Sequence, residues 1–233
     1  MSASPRPSRG PGASQSRGRT VGIIGLVLLL AGVGVLGYVG WQMFGTSIVS
    51  RHKAEAIEKS TVSAWARGEN GPALGLIRIP RFGKDYEAPI VRGFSDEALA
   101  KGVAWYPKGA RVGQIGNYVV AGHRVTHGQL FSKFPDLRRG DKVIIETRTA
   151  VYTYRLRNAG QSITVDFRTA WPLWPVPAAD ARGRKPTKRL ITMLTCAELF
   201  HTNNRNVVIG DLVTTVQKGA SRASAAGPLG VPS

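Results

Sequence analysis

The sequence predicts an all-β domain, a small closed barrel of eight strands with short helices, preceded by a single N-terminal transmembrane helix. Beyond Pro72, short apolar and β-branched runs alternate with Gly, Pro, Asp and Asn, which is typical of an all-β domain. Eight such runs within about 145 residues indicate a small closed barrel. Upstream of them, a long run without charged residues indicates a helix that crosses a membrane.

The predicted strands are runs rich in Val, Ile, Leu, Thr and Tyr. They lie at 74–79, 88–91, 117–121, 142–147, 151–157, 162–165, 189–195 and 206–216. Two short helical turns fit between them, at 95–101 and 129–137. The segment 166–188 contains prolines, tryptophans and basic residues without a regular pattern, so we expect a long loop there, and long loops in compact domains are often functional.

The predicted membrane helix is the run VGIIGLVLLLAGVGVLGYVGWQMF at 21–44, which has 24 residues and no charge. As a helix it would reach about 36 Å, enough to span a hydrocarbon core of about 30 Å with some tilt. A cleaved signal peptide has a shorter apolar stretch, of about 7 to 15 residues. We therefore predict an uncleaved signal anchor.

Basic residues flank this predicted anchor unequally. The first 20 residues contain four arginines and no acid, whereas the basic residues that follow the anchor are mixed with Glu55 and Glu58. The positive-inside rule therefore predicts a cytoplasmic N-terminus, a single pass through the cell membrane and an extracellular β domain.

Composition divides the chain into five segments. Both ends are rich in Ser, Pro, Gly or Ala with little to bury, which predicts disorder. Helix formers at 51–66, followed by the breaker cluster RGENGP, predict a helical stalk ahead of the folded domain. The predicted organisation is a disordered basic cytoplasmic segment at 1–20, an anchor at 21–44, a stalk at 45–72, the β domain at 73–217 and a disordered tail at 218–233.

The chain is strongly basic and contains a single thiol. It has 32 Lys and Arg against 14 Asp and Glu, a net charge of +18, which favours an anionic neighbour such as phospholipid, a cell-wall polymer or nucleic acid. One cysteine, Cys196, excludes an intrachain disulfide and a multi-cysteine metal site. We expect no cofactor and no metal.

Three residues together fit nucleophilic catalysis by a thiol, which needs a neighbouring base or cation and a donor for the oxyanion. Cys196 follows the strand at 189–195, and His123 follows the strand at 117–121 after a glycine that would open space at the sheet rim. Arg205 lies nine residues after Cys196, so a loop would fold it back over the thiol. Taken singly, the three also fit a buried thiol, a structural histidine and a solvated arginine.

The segments around these residues resemble the motifs of sortases. TMLTC at 192–196 resembles the sortase TLxTC motif, AGHR at 121–124 resembles the segment with the sortase histidine, and Arg205 matches the sortase arginine. Further matches, at 74–80, in PDLRRGD and in VYTYR, extend the resemblance over nearly the whole domain. The GHR segment and the spacing from cysteine to arginine are most similar to class E, the housekeeping sortases of high-GC Gram-positive bacteria.

The resemblance implies a sortase-type barrel and a cysteine transpeptidase. Sortases cut a surface protein at a C-terminal sorting signal of the LPxTG or LAxTG kind and join its threonine to an amine of a cell-wall precursor. In that scheme Cys196 is the nucleophile, His123 the acid/base and Arg205 the oxyanion stabiliser. The implied partners are surface proteins with a sorting signal, a lipid-linked peptidoglycan precursor amine and membrane lipid, with no nucleic acid.

Thr195 and His127 are candidate substrate-binding residues. Thr195 would contact substrate or help orient Arg205, or it would serve only as a β-branched strand residue. Three positions depart from the family pattern: Met193 replaces a leucine, AEL at 197–199 replaces His-Pro, and His127 replaces a tyrosine. We expect these departures to affect substrate detail and not the three catalytic positions.

Two other functions fit parts of the sequence. An L,D-transpeptidase also combines an anchor, a β-rich domain and Cys, His and Arg, but its histidine and cysteine share one SHGC-like motif, whereas here they are 73 residues apart. A non-enzymatic, basic, membrane-tethered module would bind wall polymer through its charge. Its binding would weaken steeply with salt and would not need Cys196.

Overall fold

The computed structural model describes residues 15–41, 46–125, 128–196 and 203–219, with the backbone alone at 15–21, 39, 46–48 and 196. Most of the predicted disordered ends and the last residues of the predicted anchor lie outside the described residues. The chain divides into two compact units, Met1–Gly45 and Thr46–Ser233.

The first unit contains helix α1 (Gln15–Gly40). The helix begins ahead of residue 21, the predicted start of the anchor, so residues 15–20 are helical although their composition predicts disorder. Across the described ranges, no helix has both the length and the apolar character that crossing a membrane requires.

The second unit begins with helix α2 and continues into β structure. Helix α2 (Thr46–Ala66) contains the helix predicted at 51–66 and extends it by one further turn at the N-terminus. Nine strands follow in the described part of the chain, and all eight predicted strands are among them, with ends shifted by one or two residues. They are β1 (Gly75–Arg78), β2 (Glu87–Arg92), β3 (Val103–Trp105), β4 (Gly116–Ala121), β5 (Lys142–Glu146), β6 (Ala150–Leu156), β7 (Thr164–Asp166), β8 (Arg189–Cys196) and β9 (Asn204–Gln217).

Short helical turns connect several strands. Helix α3 (Asp96–Leu99) lies between β2 and β3, where Ser95 caps it by accepting a hydrogen bond from the amide of Ala98. The helical turn predicted at 129–137 is a shorter 3₁₀ turn, Phe134–Asp136. The segment predicted as a long loop contains one 3₁₀ turn, Trp171–Leu173, and no other helix or strand beyond its first residue.

Eight strands close the predicted barrel, but they are not the same eight as the predicted strands. The hydrogen-bonded order is β6-β5-β1-β2-β3-β4-β8-β9, and β9 pairs back onto β6. Strand β3, which was not predicted, belongs to this ring, whereas β7 pairs with β9 outside it. Strand β3 has three residues, VAW, which is too short a run to show an alternating pattern.

The barrel interior is one apolar cluster. Its largest fully buried side chains come from several strands and from the connection between β4 and β5: Ile77, Ile79, Ile90, Val103, Phe131, Phe134, Leu137, Ile145, Tyr154, Ile191 and Met193. Met193 therefore packs in the core, and its replacement of the usual leucine affects core packing and not contact with substrate. Because aromatic rings from the β4–β5 connection fill the barrel, that connection is fixed to the interior.

Helix α2, predicted as a stalk, packs against the barrel. Ala54, Thr61 and Ala64 are buried on its inner face. The hydroxyl of Thr61 accepts a hydrogen bond from the amide of Ala73 at 3.1 Å. A Cβ at Gly71 would lie 2.5 Å from the Cα of Thr61, so only glycine permits this close approach. The helix is thus part of the folded unit.

Asn117 joins the long irregular segment to the barrel. Its side chain is 1% exposed and its amide group donates to the carbonyl of Pro172 at 2.8 Å and to that of Trp174 at 2.9 Å. Its side-chain oxygen accepts a hydrogen bond from the hydroxyl of Thr192 at 2.7 Å. One buried amide therefore links β4, β8 and the segment that follows β7.

We predict that Asn117→Ala lowers the free energy of unfolding by about 1 to 3 kcal/mol, because it leaves buried polar partners unsatisfied. Urea denaturation of the purified full chain measures this change. Asn70→Ala is the matched control, since Asn70 is exposed and accepts only from the Arg148 side chain in the described contacts. The control should stay within about 0.5 kcal/mol of wild type, and equal effects for both variants would contradict the prediction.

Candidate active site

Three neighbouring strands bring the predicted catalytic positions together. Strands β4 and β8 pair in parallel, with Ala121 opposite Leu194, so the residues that follow β4 lie beside the last residues of β8. Strands β8 and β9 pair antiparallel, and in their register Cys196 lies directly opposite Arg205. The positions of His123, Cys196 and Arg205 therefore converge at one end of the barrel.

Two hydrogen bonds continue the contact between β4 and β8 past the end of β4. The amide of Gly122 donates to the carbonyl of Leu194 at 3.1 Å. The hydroxyl of Thr195 donates to the carbonyl of Gly122 at 2.9 Å, and Thr195 is 3% exposed. These bonds hold the residue before His123 against the residue before Cys196, which fixes the distance between the two chain segments.

Gly122 permits a close contact and does not open space at the rim, contrary to the sequence interpretation. A Cβ at this position would lie 2.8 Å from the ring of Phe131, which is fully buried in the core. The amide of Phe131 donates to the carbonyl of His123 at 3.0 Å and so closes the base of the loop that follows the histidine. Gly122 is required because the ring occupies the place of a side chain.

Strand pairing places the backbone of Arg205, and the loop expected to fold it back over the thiol lies outside the described residues. It lies within β9, one residue before the predicted start of that strand, between β8 on one side and Val165 of β7 on the other. The residue is half-buried, and its Nη1 donates to the carbonyl of Asn204 at 2.9 Å. A guanidinium fixed in this way has a defined direction, as an oxyanion donor needs.

A groove of ≈ 360 Å³ lies at this end of the barrel. His123, Thr195 and Arg205 are among the residues that line it, and most of the others are apolar. The other lining residues are Phe94, Asp96, Leu99, Ala121, Gly122, Val165, Asp166, Phe167, Thr169, Leu173 and Leu194. A few converging polar groups within a mostly apolar cleft are typical of a site that binds and orients a ligand.

Of the other two candidate residues, Thr195 and His127, the structure describes Thr195 alone. Thr195 lines the groove, but its hydroxyl is engaged with Gly122, which favours a positioning role over a substrate contact. His127 and the segment 197–199 lie outside the described residues. Within the described ranges, no group of three or more His, Cys, Asp or Glu is arranged to hold a metal ion.

Several groove residues are not predicted by the sequence. Phe94 precedes α3 and Leu99 is its last residue, in a helical turn that was predicted without a function, and their apolar side chains have no distinctive pattern. Phe167 is 50% exposed within the predicted long loop. The sequence signal for Phe167 was its place as an aromatic residue in a loop predicted to be functional.

Comparison with known proteins agrees with this geometry. Residues 77–213, more than half of the chain, match the model of the Sortase domain. The chain therefore belongs to the sortase family, which comprises cysteine transpeptidases. This membership excludes the L,D-transpeptidase alternative.

The similar proteins include class E members, which confirms the predicted class E likeness. Sortase SrtE1 of Streptomyces coelicolor is 28% identical over 88% of this chain, and the match spans 60% of that protein's length. Sortase SrtE2 of the same organism is 26% identical, over 88% of this chain and 86% of that protein.

Solved structures of class E sortases have the same fold. Sortase E from Streptomyces avermitilis superposes with a TM-score of 0.55 and 31% identity, covering 67% of this chain and 94% of that one. Sortase E1 from Streptomyces coelicolor, solved with a tripeptide in its active site, gives a TM-score of 0.52 and 26% identity, covering 66% of this chain and 94% of that one.

We predict that Gly122→Ala lowers kcat on a sortase peptide substrate about tenfold or more. The added methyl group would collide with the buried ring of Phe131, so the backbone that carries His123 must shift, and small shifts of catalytic groups are costly. Steady-state kinetics of the purified full chain measures the change. The double variant Gly122→Ala/Phe131→Leu should recover part of the rate, and a single variant within about twofold of wild type would contradict this account.

Proposed function

We propose that this protein is a membrane-anchored class E sortase that cleaves a C-terminal LPxTG or LAxTG signal and transfers the protein to a cell-wall amine. The observation that carries the proposal is the convergence of positions 123, 196 and 205 through the pairing of β4, β8 and β9. The family supports the cysteine acyl-enzyme route, and the class E relatives support the housekeeping role.

In the first step, the thiolate of Cys196 attacks the carbonyl carbon of the signal's threonine. The carbonyl oxygen becomes an oxyanion, which the guanidinium of Arg205 and backbone amides near Cys196 stabilise. The imidazolium of His123 gives its proton to the departing glycine amine, and the C–N bond breaks. The products are a thioester on Cys196 and a released peptide.

In the second step, the acceptor amine attacks the thioester carbonyl and His123 accepts its proton. The C–S bond breaks, the thiolate of Cys196 is regenerated and a new amide joins the threonine to the acceptor. We propose a lipid-linked peptidoglycan precursor as the acceptor, because an amine held at the outer leaflet would reach an anchored enzyme at a high effective concentration.

The groove supplies a place for the sorting signal. Its apolar wall at Phe94, Leu99 and Leu173 fits the leucine and the small or proline residue of the signal, and its polar part lies at the catalytic positions. The tripeptide in the active site of sortase E1 from Streptomyces coelicolor is consistent with an extended peptide in the corresponding groove.

The location at the cell membrane rests on the sequence. The charge-free run at 21–44 and the arginines before it support a single pass with a cytoplasmic N-terminus and an extracellular catalytic domain. The partners of the enzyme are then membrane lipid and the surface proteins that bear a sorting signal. Nucleic acid is not a partner.

The proposed reaction is tested by incubating the purified full chain with a panel of LPxTG and LAxTG peptides and measuring the mass of the protein. A mass increase equal to the acyl part of one peptide, lost on addition of an amine, is the expected result. A chain whose mass never changes with any peptide of the panel would overturn the proposed function.

Cys196→Ala is expected to abolish peptide cleavage and acyl-enzyme formation while the barrel stays folded. The variant removes the thiol on which the proposed chemistry depends, and alanine is readily accommodated in a strand end. Cleavage assays and circular dichroism on the same sample provide the measurement. Cleavage by the variant at the wild-type rate would show that Cys196 is not the nucleophile and would overturn the proposed mechanism.

Arg205→Lys is expected to lower kcat by about 10² to 10³, with a smaller change in KM. Lysine keeps the charge but replaces a planar donor of two hydrogen bonds with a flexible point charge. Arg182→Lys is the matched control, because Arg182 is exposed and is not among the residues that line the groove. An Arg205→Lys enzyme within about threefold of wild type would show that Arg205 is not the oxyanion donor.

A further inference from the structure

Helix α2 contacts the surroundings of the active site at two separate places. The first contact is a small apolar cluster beside the main core, formed by Val91, Ala98 and Ala104. Ile57 of α2 packs on this cluster from one side, and Phe94 and Leu99 pack on it as well. The last two residues also line the active-site groove, so the helix supports one groove wall through this cluster.

The second contact joins the start of α2 to the loop after His123. A Cβ built on Gly128 would lie 3.5 Å from the backbone nitrogen of Arg51 and 3.7 Å from the carbonyl carbon of Ser50. The two chain segments therefore lie close enough that a side chain at position 128 would touch the helix backbone, and Ser50 is 6% exposed. The same loop returns to His123 through the hydrogen bond from the amide of Phe131.

Between the two contacts the interface is an open polar cleft of ≈ 270 Å³. Carboxylates from both sides face it: Glu55, Glu58, Asp85 and Glu87. Burial, together with the charges of Glu87 and Glu55, raises the pKa of Glu58. Arg51 and Lys133 line the same cleft and Glu87 pairs with Arg78, so the charges there are mixed. The apolar contact at Ile57 is therefore the part of the interface that a substitution can remove selectively.

We propose that α2 is a positioning element of the active site. Its docking on the barrel fixes the groove wall at Phe94 and Leu99 and the loop that follows His123, and undocking lowers turnover. The inference rests on the proposed function for what the groove and His123 do. Helix α2 follows directly after the predicted anchor in the sequence. The segment that connects the anchor to the barrel therefore also influences the turnover of the enzyme.

The test compares two substitutions on the same helix in the purified full chain. Ile57→Ser removes the apolar contact with the cluster, whereas Val62→Ser changes a residue that is 47% exposed and serves as the matched control. Ala54→Arg, at a 5% exposed position facing the cleft, displaces the helix by a different route. Ile57→Val keeps the contact and is the rescue variant.

Hydrogen–deuterium exchange and kinetics are measured on each variant. In Ile57→Ser and Ala54→Arg, we expect the amides of residues 94–99 and 128–131 to exchange about tenfold faster or more. We expect kcat/KM on a sorting peptide to fall about fivefold or more, with the thermal unfolding of the barrel little changed. Val62→Ser and Ile57→Val should match wild type in both measurements.

Two results would overturn the inference: unchanged exchange in both displaced variants, or faster exchange with unchanged kcat/KM. If the wild-type chain cleaves no peptide of the panel, the proposed function fails, and the exchange measurement still decides whether α2 positions these segments. A loss of kcat/KM equal in Val62→Ser and Ile57→Ser would likewise reject docking as its cause.

Discussion

Strands β4 and β8 run parallel, and this pairing determines where the reactive groups lie. Parallel strands end at the same edge of a sheet, so residues far apart in the chain emerge side by side after them. Both strands are apolar and buried along most of their length, which fixes their register, because a shift by one residue would reverse the faces of every side chain. The buried bond between Asn117 and Thr192 adds a polar constraint on the same pair. The position of Arg205 opposite Cys196 then follows from the antiparallel pairing of β9 with β8.

The sequence predicted the parts of the structure that leave a local pattern. Short β-branched runs predicted eight strands, and the motifs around His123 and Cys196 pointed to two strand ends that the fold places side by side. The sequence could not predict the groove walls, because Phe94 and Leu99 are ordinary apolar residues and only the tertiary packing places them in the groove. The reason for Gly122 was also out of reach, since the ring that requires it belongs to a residue nine positions later. Helix propensity predicted that α2 is a helix, but it does not predict the tertiary contacts that dock α2 on the barrel.

The excess of positive charge belongs to the surface and not to the catalytic geometry. Several acids are engaged in ion pairs, such as Arg81 with Asp141 and Arg157 with Asp211. These arginines lower the pKa of both carboxyl groups, first through hydrogen bonds. Each pair stabilises the fold above the ordinary carboxyl pKa, and that contribution is lost as the pH falls through the lowered pKa. The basic residues of the segment 182–189 are exposed, so they remain available to an anionic surface.

Strand β7 pairs with β9 outside the closed ring, and the irregular segment after it supplies Phe167 and Leu173 to the groove. The hydrogen bonds that close the barrel therefore do not involve this part of the chain. Longer or altered loops at such a position cost little, because the entropy of loop closure grows only slowly with length. This groove wall can therefore change in length and composition without reopening the barrel, provided that Val165 keeps its pairing with Arg205 and Asn117 keeps its bonds to the segment.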